Sequence, residues 1–179
     1  EPVRATVMAQ CAPDVLLITS LFEGYHDDAV TGLPEQGQAV PTAAIHYDLI
    51  PLLNPEYLSE PSQRAFYERK LGQLVRADRL LAISEFSREE ALSTLNLGAH
   101  RVVNISAAVA PDFYSANGRE HVAPSFMTRL RDWGVRHEFV LYVPGGFDAR
   151  KNFERLFAAY ASLPEDLRQR YQLLIPGKL

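Results

Sequence analysis

The chain has 179 residues, of which 47% are hydrophobic and 22% charged, the balance of an ordered globular protein. A formal net charge of −4 argues against a broad basic face for gripping nucleic acid. The single cysteine, Cys11, excludes an intrachain disulfide framework and a cysteine-rich zinc site, and no apolar run approaches the ~18 residues that span a bilayer.

The start, Glu1-Pro2-Val3-Arg4, has no basic-then-apolar leader pattern and no initiator Met, so it reads as a cut end. Residues 14–19 form the first apolar run and read as a strand buried on both faces. Residues 40–47 read as the next strand, with Pro41 near its start, where a missing N–H does least harm. A helix is expected over 62–77, with Phe66, Leu71, Leu74 and Val75 at helical spacing and charges opposite. Residues 79–83 read as a third strand. The next helix spans 84–95. Ser87 and Glu90 match a capping box, and Phe86, Ala91, Leu92 and Leu95 form its apolar side. Asn96 and Gly98 stop it. Residues 102–105 read as a fourth strand.

The polar stretch 115–124 reads as a boundary. Beyond it come a short helix over 125–133 ending at Gly134, a strand over 139–143, a helix over 152–163 and a strand over 172–175. The long helix puts Phe153, Leu156, Phe157 and Tyr160 on one face, and Pro164 ends it. Continuous apolar runs favour a parallel sheet covered on both sides. Strand-helix-strand order points to an α/β, doubly wound fold. The expected organisation is a Rossmann-like domain over 1–118, a linker and connecting helix over 119–137, and the first βαβ of a second such domain over 138–179. A lone βαβ buries too little to stand alone. Its open edge could pair two copies of the chain into a homodimer.

Three segments could carry chemistry. Gly145-Gly146-Phe147-Asp148-Ala149-Arg150-Lys151-Asn152 follows a strand and opens a helix. Glycines there admit a ligand to the backbone, the helix start suits a phosphate, and Arg150 and Lys151 add two cations. The same residues also fit a tight turn with solvated basic side chains. The segment His46-Tyr47-Asp48 sits where a parallel strand ends, the usual place for a ligand in such sheets. Neighbouring strand residues point to opposite faces, so His46 and Tyr47 cannot share one cleft on a regular strand. The plainer alternative has Asp48 binding loop N–H groups. Ser20 through Asp28 also follows a strand. Glu23 and Gly24 could line a cleft or lie in a solvated loop. His26, Asp27 and Asp28 have no metal-ligand spacing, so no metal is expected. There is no nucleophile elbow and no dinucleotide fingerprint.

Together the segments resemble a known family. Residues 77–87, from Ala77-Asp78 through Ile83-Ser84 to Ser87, resemble a segment of family-four, GT-B-type retaining glycosyltransferases. Residues 145–153 look like that family's first strand-to-helix loop in the second domain. Ser20-Leu21-Phe22-Glu23-Gly24 with Tyr47-Asp48-Leu49-Ile50-Pro51 is similar to a branch that includes O-antigen mannosyltransferases of lipopolysaccharide assembly. The resemblance covers roughly residues 14–177. It implies two Rossmann-like domains and transfer of a hexose, such as mannose, from a nucleotide-diphosphate sugar to a glycan or lipid-linked acceptor. It implies that Lys151, with Arg150, Gly145 and Gly146, holds the donor diphosphate. Asp48 with Tyr47 or His46 is the implied catalytic end, and Glu23, Gly24 and Ser84 lie on the acceptor and sugar side. Neither a cofactor nor a metal is implied, and the setting is cytoplasmic, at the inner membrane face. Many relatives carry His directly before the Asp; here Tyr47 stands there. The family's N-terminal glycine-rich loop would precede Glu1 and its acidic motif would follow Leu179, so the chain is expected to be the middle of a longer enzyme, inactive alone. A non-catalytic sugar- or nucleotide-binding module of the same fold, or a nucleotide-sugar epimerase, are the competing expectations.

Overall fold

The computed structural model describes residues 6–7, 10–33, 40–110, 124–146 and 149–177. The chain divides into two compact units, Glu1–Phe113 and Tyr114–Leu179. The stretch 115–124 that reads as a boundary lies, apart from Pro124, outside the described residues.

The first unit holds a parallel sheet of four strands: β1 (Leu16–Ile18), β2 (Thr42–His46), β3 (Arg79–Ala82) and β4 (Val102–Asn104), in the order β1-β2-β3-β4. All four lie where apolar runs predict them, each trimmed where the chain leaves its ladder. The register puts Ile18 beside Ala44, Ala44 beside Leu80, His46 beside Ala82 and Leu80 beside Val102. These six side chains share one face by the two-residue period of a strand, and all six are buried. With them cluster Leu74 of the Pro61–Arg76 helix and Ala91 of the Glu85–Thr94 helix.

The opposite face differs from expectation. Leu17 is 49% exposed and Val103 45%. Continuous apolar runs suggested cover on both sides, but within this unit only one face is fully packed. Strand order also advances one way, with no reversal among the described strands. The observed class is therefore a parallel α/β sheet compatible with a Rossmann-like unit.

Helix boundaries follow local chemistry. Pro61 opens the Pro61–Arg76 helix, where its missing N–H is harmless. Arg101 donates from its guanidinium to the carbonyls of Val75 at 2.6 Å and Ala77 at 2.5 Å, satisfying carbonyls at the helix's end. The helix is capped one turn earlier than Ser87 and Glu90 predict, and by a serine alone rather than a capping box. Ser84, in extended conformation, is the cap and accepts from the Ser87 N–H at 3.1 Å. The buried line of that helix runs through Ser87 and Ala91. Phe86 is therefore 74% exposed, not apolar packing as its spacing suggests.

In the second unit, β5 (Glu138–Leu141) and β6 (Tyr171–Leu174) pair in parallel. The Pro124–Asp132 helix ends at Gly134, whose φ of +80° is the left-handed stop that glycine adopts freely. The long helix is shorter than predicted, Phe153–Ala161, because Pro164 caps a further helix, Glu165–Arg170, that the sequence pattern did not announce. Phe157 is 51% exposed and Val140 53%, so this βαβ leaves apolar surface uncovered within its own unit.

The core of the first unit turns on Leu74, which is fully buried. Leu74→Ala should lower unfolding free energy by about 2–5 kcal/mol through lost burial and a residual cavity. Phe86→Ala should stay within about 0.5 kcal/mol of the parent. Urea unfolding of the two variants side by side checks both figures.

Candidate functional site

The carboxyl ends of β1 and β2 converge, as expected for ligand sites in parallel sheets. After β1 the chain turns sharply. The Ser20 hydroxyl donates to the Glu23 carboxylate at 3.0 Å. The Thr31 hydroxyl lies 2.9 Å from the Leu21 carbonyl and 3.0 Å from that of Glu23, and it accepts from buried Lys70 Nζ at 2.7 Å. Lys70 thus ties the turn to the Pro61–Arg76 helix. Gly24 has φ +93°, and a Cβ there would strike the Ala29 carbonyl oxygen, so the turn requires glycine.

The end of β2 is held from the other side. The Ser87 hydroxyl donates to the Tyr47 carbonyl at 2.7 Å, and the Leu49 N–H donates to the Glu90 carboxylate at 2.8 Å. The two residues first read as a capping box instead pin this loop to the Glu85–Thr94 helix. Asp48 accepts from the Ile50 N–H at 3.0 Å, the loop-bonding role that is the plainer reading of an Asp here.

These constraints sort the predicted residues. His46 is buried among the packed side chains of the sheet, while Tyr47 is 50% exposed. Tyr47 and Asp48 line a cavity of about 220 Å³ with Ser20, Leu21, Phe22, Ile45, Pro51 and Tyr67. His46 does not line it. Glu23 is exposed on the turn and Gly24 shapes the backbone; neither lines the cavity. The Ser84 hydroxyl is engaged as the helix cap.

Burial dominates the titration of His46 and holds it below its ordinary value of 6.5, against the opposing charges of Glu90 and Asp48. Its Nε2 is buried without a hydrogen-bond partner among the described residues. The same is true of the Tyr67 hydroxyl, which burial and the negative charge of Asp48 push up to about 12. Sequence reading missed Tyr67, Lys70, and the anchoring roles of Ser87 and Glu90. For Tyr67 a signal existed: Tyr67, Lys70 and Leu74 recur at helical spacing and are the buried line of their helix.

The second unit carries the glycine loop. Gly145 has φ +70°, open only to glycine at low cost. Phe147 and Asp148 lie outside the described residues, and Gly146 precedes them. Arg150 and Lys151 do not open the long helix as expected. They sit in a separate 3-10 turn, Ala149–Lys151, and Asn152 in left-handed conformation (φ +53°) intervenes before Phe153. The Tyr142 hydroxyl donates to the Lys151 carbonyl at 3.0 Å, anchoring the turn to the end of β5. Lys151 is half-buried and Arg150 exposed.

Among the described residues no group of three or more His, Cys, Asp or Glu is arranged to hold a metal ion. No described helix is long and apolar enough to cross a membrane.

With this geometry in view, the chain proves similar along its whole length to one segment of bacterial mannosyltransferases. It is 34% identical over 180 residues to a serotype-specific mannosyltransferase WbdA of Escherichia coli, covering 100% of this chain and 22% of that protein. A second WbdA of Escherichia coli is 36% identical over 185 residues, again with 22% of its length covered. An O-antigen chain mannosyltransferase B of Escherichia coli is 33% identical over 125 residues, 69% of this chain and 31% of that protein. The chain thus spans about a fifth of the length of the WbdA proteins it matches. No family model and no solved structure matches.

Buried neutral His46 gives the first unit a pH dependence of defined sign. Unfolded, the imidazole takes up a proton as pH falls through about 6.5, while the folded form resists until its lower value is reached. Stability should be level above that pH and fall below it. Urea midpoints at pH 7.5 and 5.5 should show a drop that is smaller in His46→Asn, and an equal drop in both proteins would remove His46 as the source.

Proposed function

We propose that this chain is part of a retaining, GT-B-type glycosyltransferase that moves a hexose from a nucleotide-diphosphate sugar to a glycan or lipid-linked acceptor in cell-surface polysaccharide synthesis. The carrying observation is similarity over the entire chain to two proteins named WbdA mannosyltransferases, and over 69% of it to an O-antigen chain mannosyltransferase. Mannose is accordingly the hexose of first choice. The whole enzyme would work on the cytoplasmic side, at the membrane face where lipid-linked acceptors are presented.

The chemistry divides between the two units. In the second, Lys151 and Arg150 supply cationic charge beside a loop that Gly145 turns. A diphosphate leaving group gains negative charge as the glycosidic bond breaks, and fixed cations stabilise that charge more than they stabilise the bound donor. The Tyr142 hydroxyl, by holding the Lys151 carbonyl, orients the turn rather than touching substrate. In the first unit, Asp48 and Tyr47 at the end of β2 face a cavity that can receive the acceptor. Asp48 carries the negative charge there, suited to accept a hydrogen bond from a sugar hydroxyl. His46 acts from within the packed sheet, as a neutral group under this loop. No metal or cofactor enters the scheme.

A panel of nucleotide-diphosphate sugars, added singly to the full-length protein in a thermal melt, tests this reading. The true donor should raise the midpoint by mass action, and Lys151→Ala should lose most of that rise without lowering the midpoint of the free protein. Absence of a shift with every donor, together with absence of sugar transfer, would overturn the assignment.

A further inference from the structure

The cavity beside Tyr47 has a neighbour. A second hollow of about 240 Å³ is lined by Phe22, Tyr25, His26, Tyr57, Leu58, Gln63, Phe66 and Tyr67. Phe22 and Tyr67 belong to both. Their rings stack at 4.9 Å between centroids, tilted by 25°, and form the shared wall. Tyr25 is set edge-on to Phe66 at 5.3 Å, and its hydroxyl shares a hydrogen bond with Ser62 at 2.8 Å, so the aromatic lining is braced.

Three features describe the occupant. Each hollow is below about 300 Å³, the lower end for small-molecule pockets, while the pair together reaches that range. The described lining of both includes no Lys or Arg, which disfavours a phosphate. The lining alternates aromatic faces with a few polar groups: Ser20, Asp48, His26 and Gln63. Pyranose rings match that pattern, apolar on their C–H faces and hydroxylated at their edges.

The Tyr67 hydroxyl supplies the independent observation. Tyr67 is only 8% exposed, it lines both hollows, and its oxygen makes no hydrogen bond of ordinary geometry among the described residues, with only a weaker approach from the Leu52 backbone. An orphaned buried hydroxyl costs stability unless something else satisfies it. We propose that the two hollows bind two consecutive sugar residues of a neutral acceptor glycan, with the Tyr67 hydroxyl hydrogen-bonded to the chain where it passes from one to the other. Its oxygen is covered in the free protein, so glycan binding there entails a small side-chain adjustment, as is usual at binding sites. Tyr67 is thus a specificity residue for acceptor length. This rests on the transferase reading and extends it to the acceptor.

The test uses the full-length protein with methyl mannoside, mannobiose and mannotriose as acceptors. The acceptor KM should fall at least fivefold from one sugar to two and little further with three. Tyr67→Phe should raise the mannobiose KM about 3- to 10-fold, the worth of one hydrogen bond, with donor KM unchanged and the thermal midpoint level or higher. A merely structural hydroxyl would move stability and leave acceptor length preference intact. Tyr57→Ala, at a residue 43% exposed and found only in the second hollow, should erase the advantage of two sugars over one. An equal KM for one and two sugars, or a Tyr67→Phe enzyme within twofold of the parent on mannobiose, overturns the proposal while transfer itself persists. If no transfer occurs with any acceptor, the transferase reading fails instead, and calorimetry with mannobiose decides the hollows separately: weaker binding by Tyr67→Phe supports them, and no binding to the parent overturns them.

Discussion

The site depends on how the end of β2 is held. Two hydrogen bonds reach it from the Glu85–Thr94 helix, one from the Ser87 hydroxyl to the Tyr47 carbonyl and one from the Leu49 N–H to the Glu90 carboxylate. A strand alternates its side chains strictly while it remains a strand. By anchoring the backbone just past His46, these bonds fix the alternation at the strand's end and then turn the chain, so that Asp48 leaves the strand's period. His46 then goes into the packed face, and Tyr47 and Asp48 go to the cavity. Shifting this segment by one residue would exchange them, bringing the imidazole out and burying a phenol.

The turn after β1 is built on the same plan with other parts. Lys70 is a buried cation whose Nζ is met by the Thr31 hydroxyl, itself bonded to the Leu21 and Glu23 carbonyls. Burying an ammonium is costly unless it is hydrogen-bonded, so Lys70 confines the loop to arrangements that keep Thr31 beneath it. Phe22 is delivered by that loop to its stack on Tyr67. One helix, Pro61–Arg76, therefore contributes both the cation that shapes the loop and the ring that separates the two hollows.

The glycine loop of the second unit works differently. Its cations are borne by a short 3-10 turn braced by Tyr142, not by the first turn of a long helix. The left-handed Asn152 lies between that turn and Phe153. Lys151 therefore lies outside the first turn of that helix, to which the influence of the helix dipole is confined.

Much of this was legible in the residues alone. Largely apolar runs located all six strands of the described residues, because strands that join a sheet are rich in apolar side chains. The opposed directions of His46 and Tyr47 followed from the two-residue period. The resemblance to mannosyltransferases rests on short segments, and similarity to proteins of that name runs along the whole chain. Long-range partners were not legible. Ser87 and Glu90 satisfy the local pattern of a capping box, and only the approach of β2, some 40 positions away in the chain, diverts them to Tyr47 and Leu49. Tyr67 reads as one aromatic among many until folding buries its hydroxyl beside the cavity. Side-chain period is a local property written along the chain, whereas burial and the satisfaction of a polar atom depend on which distant segment arrives beside it, and that the tertiary structure alone decides.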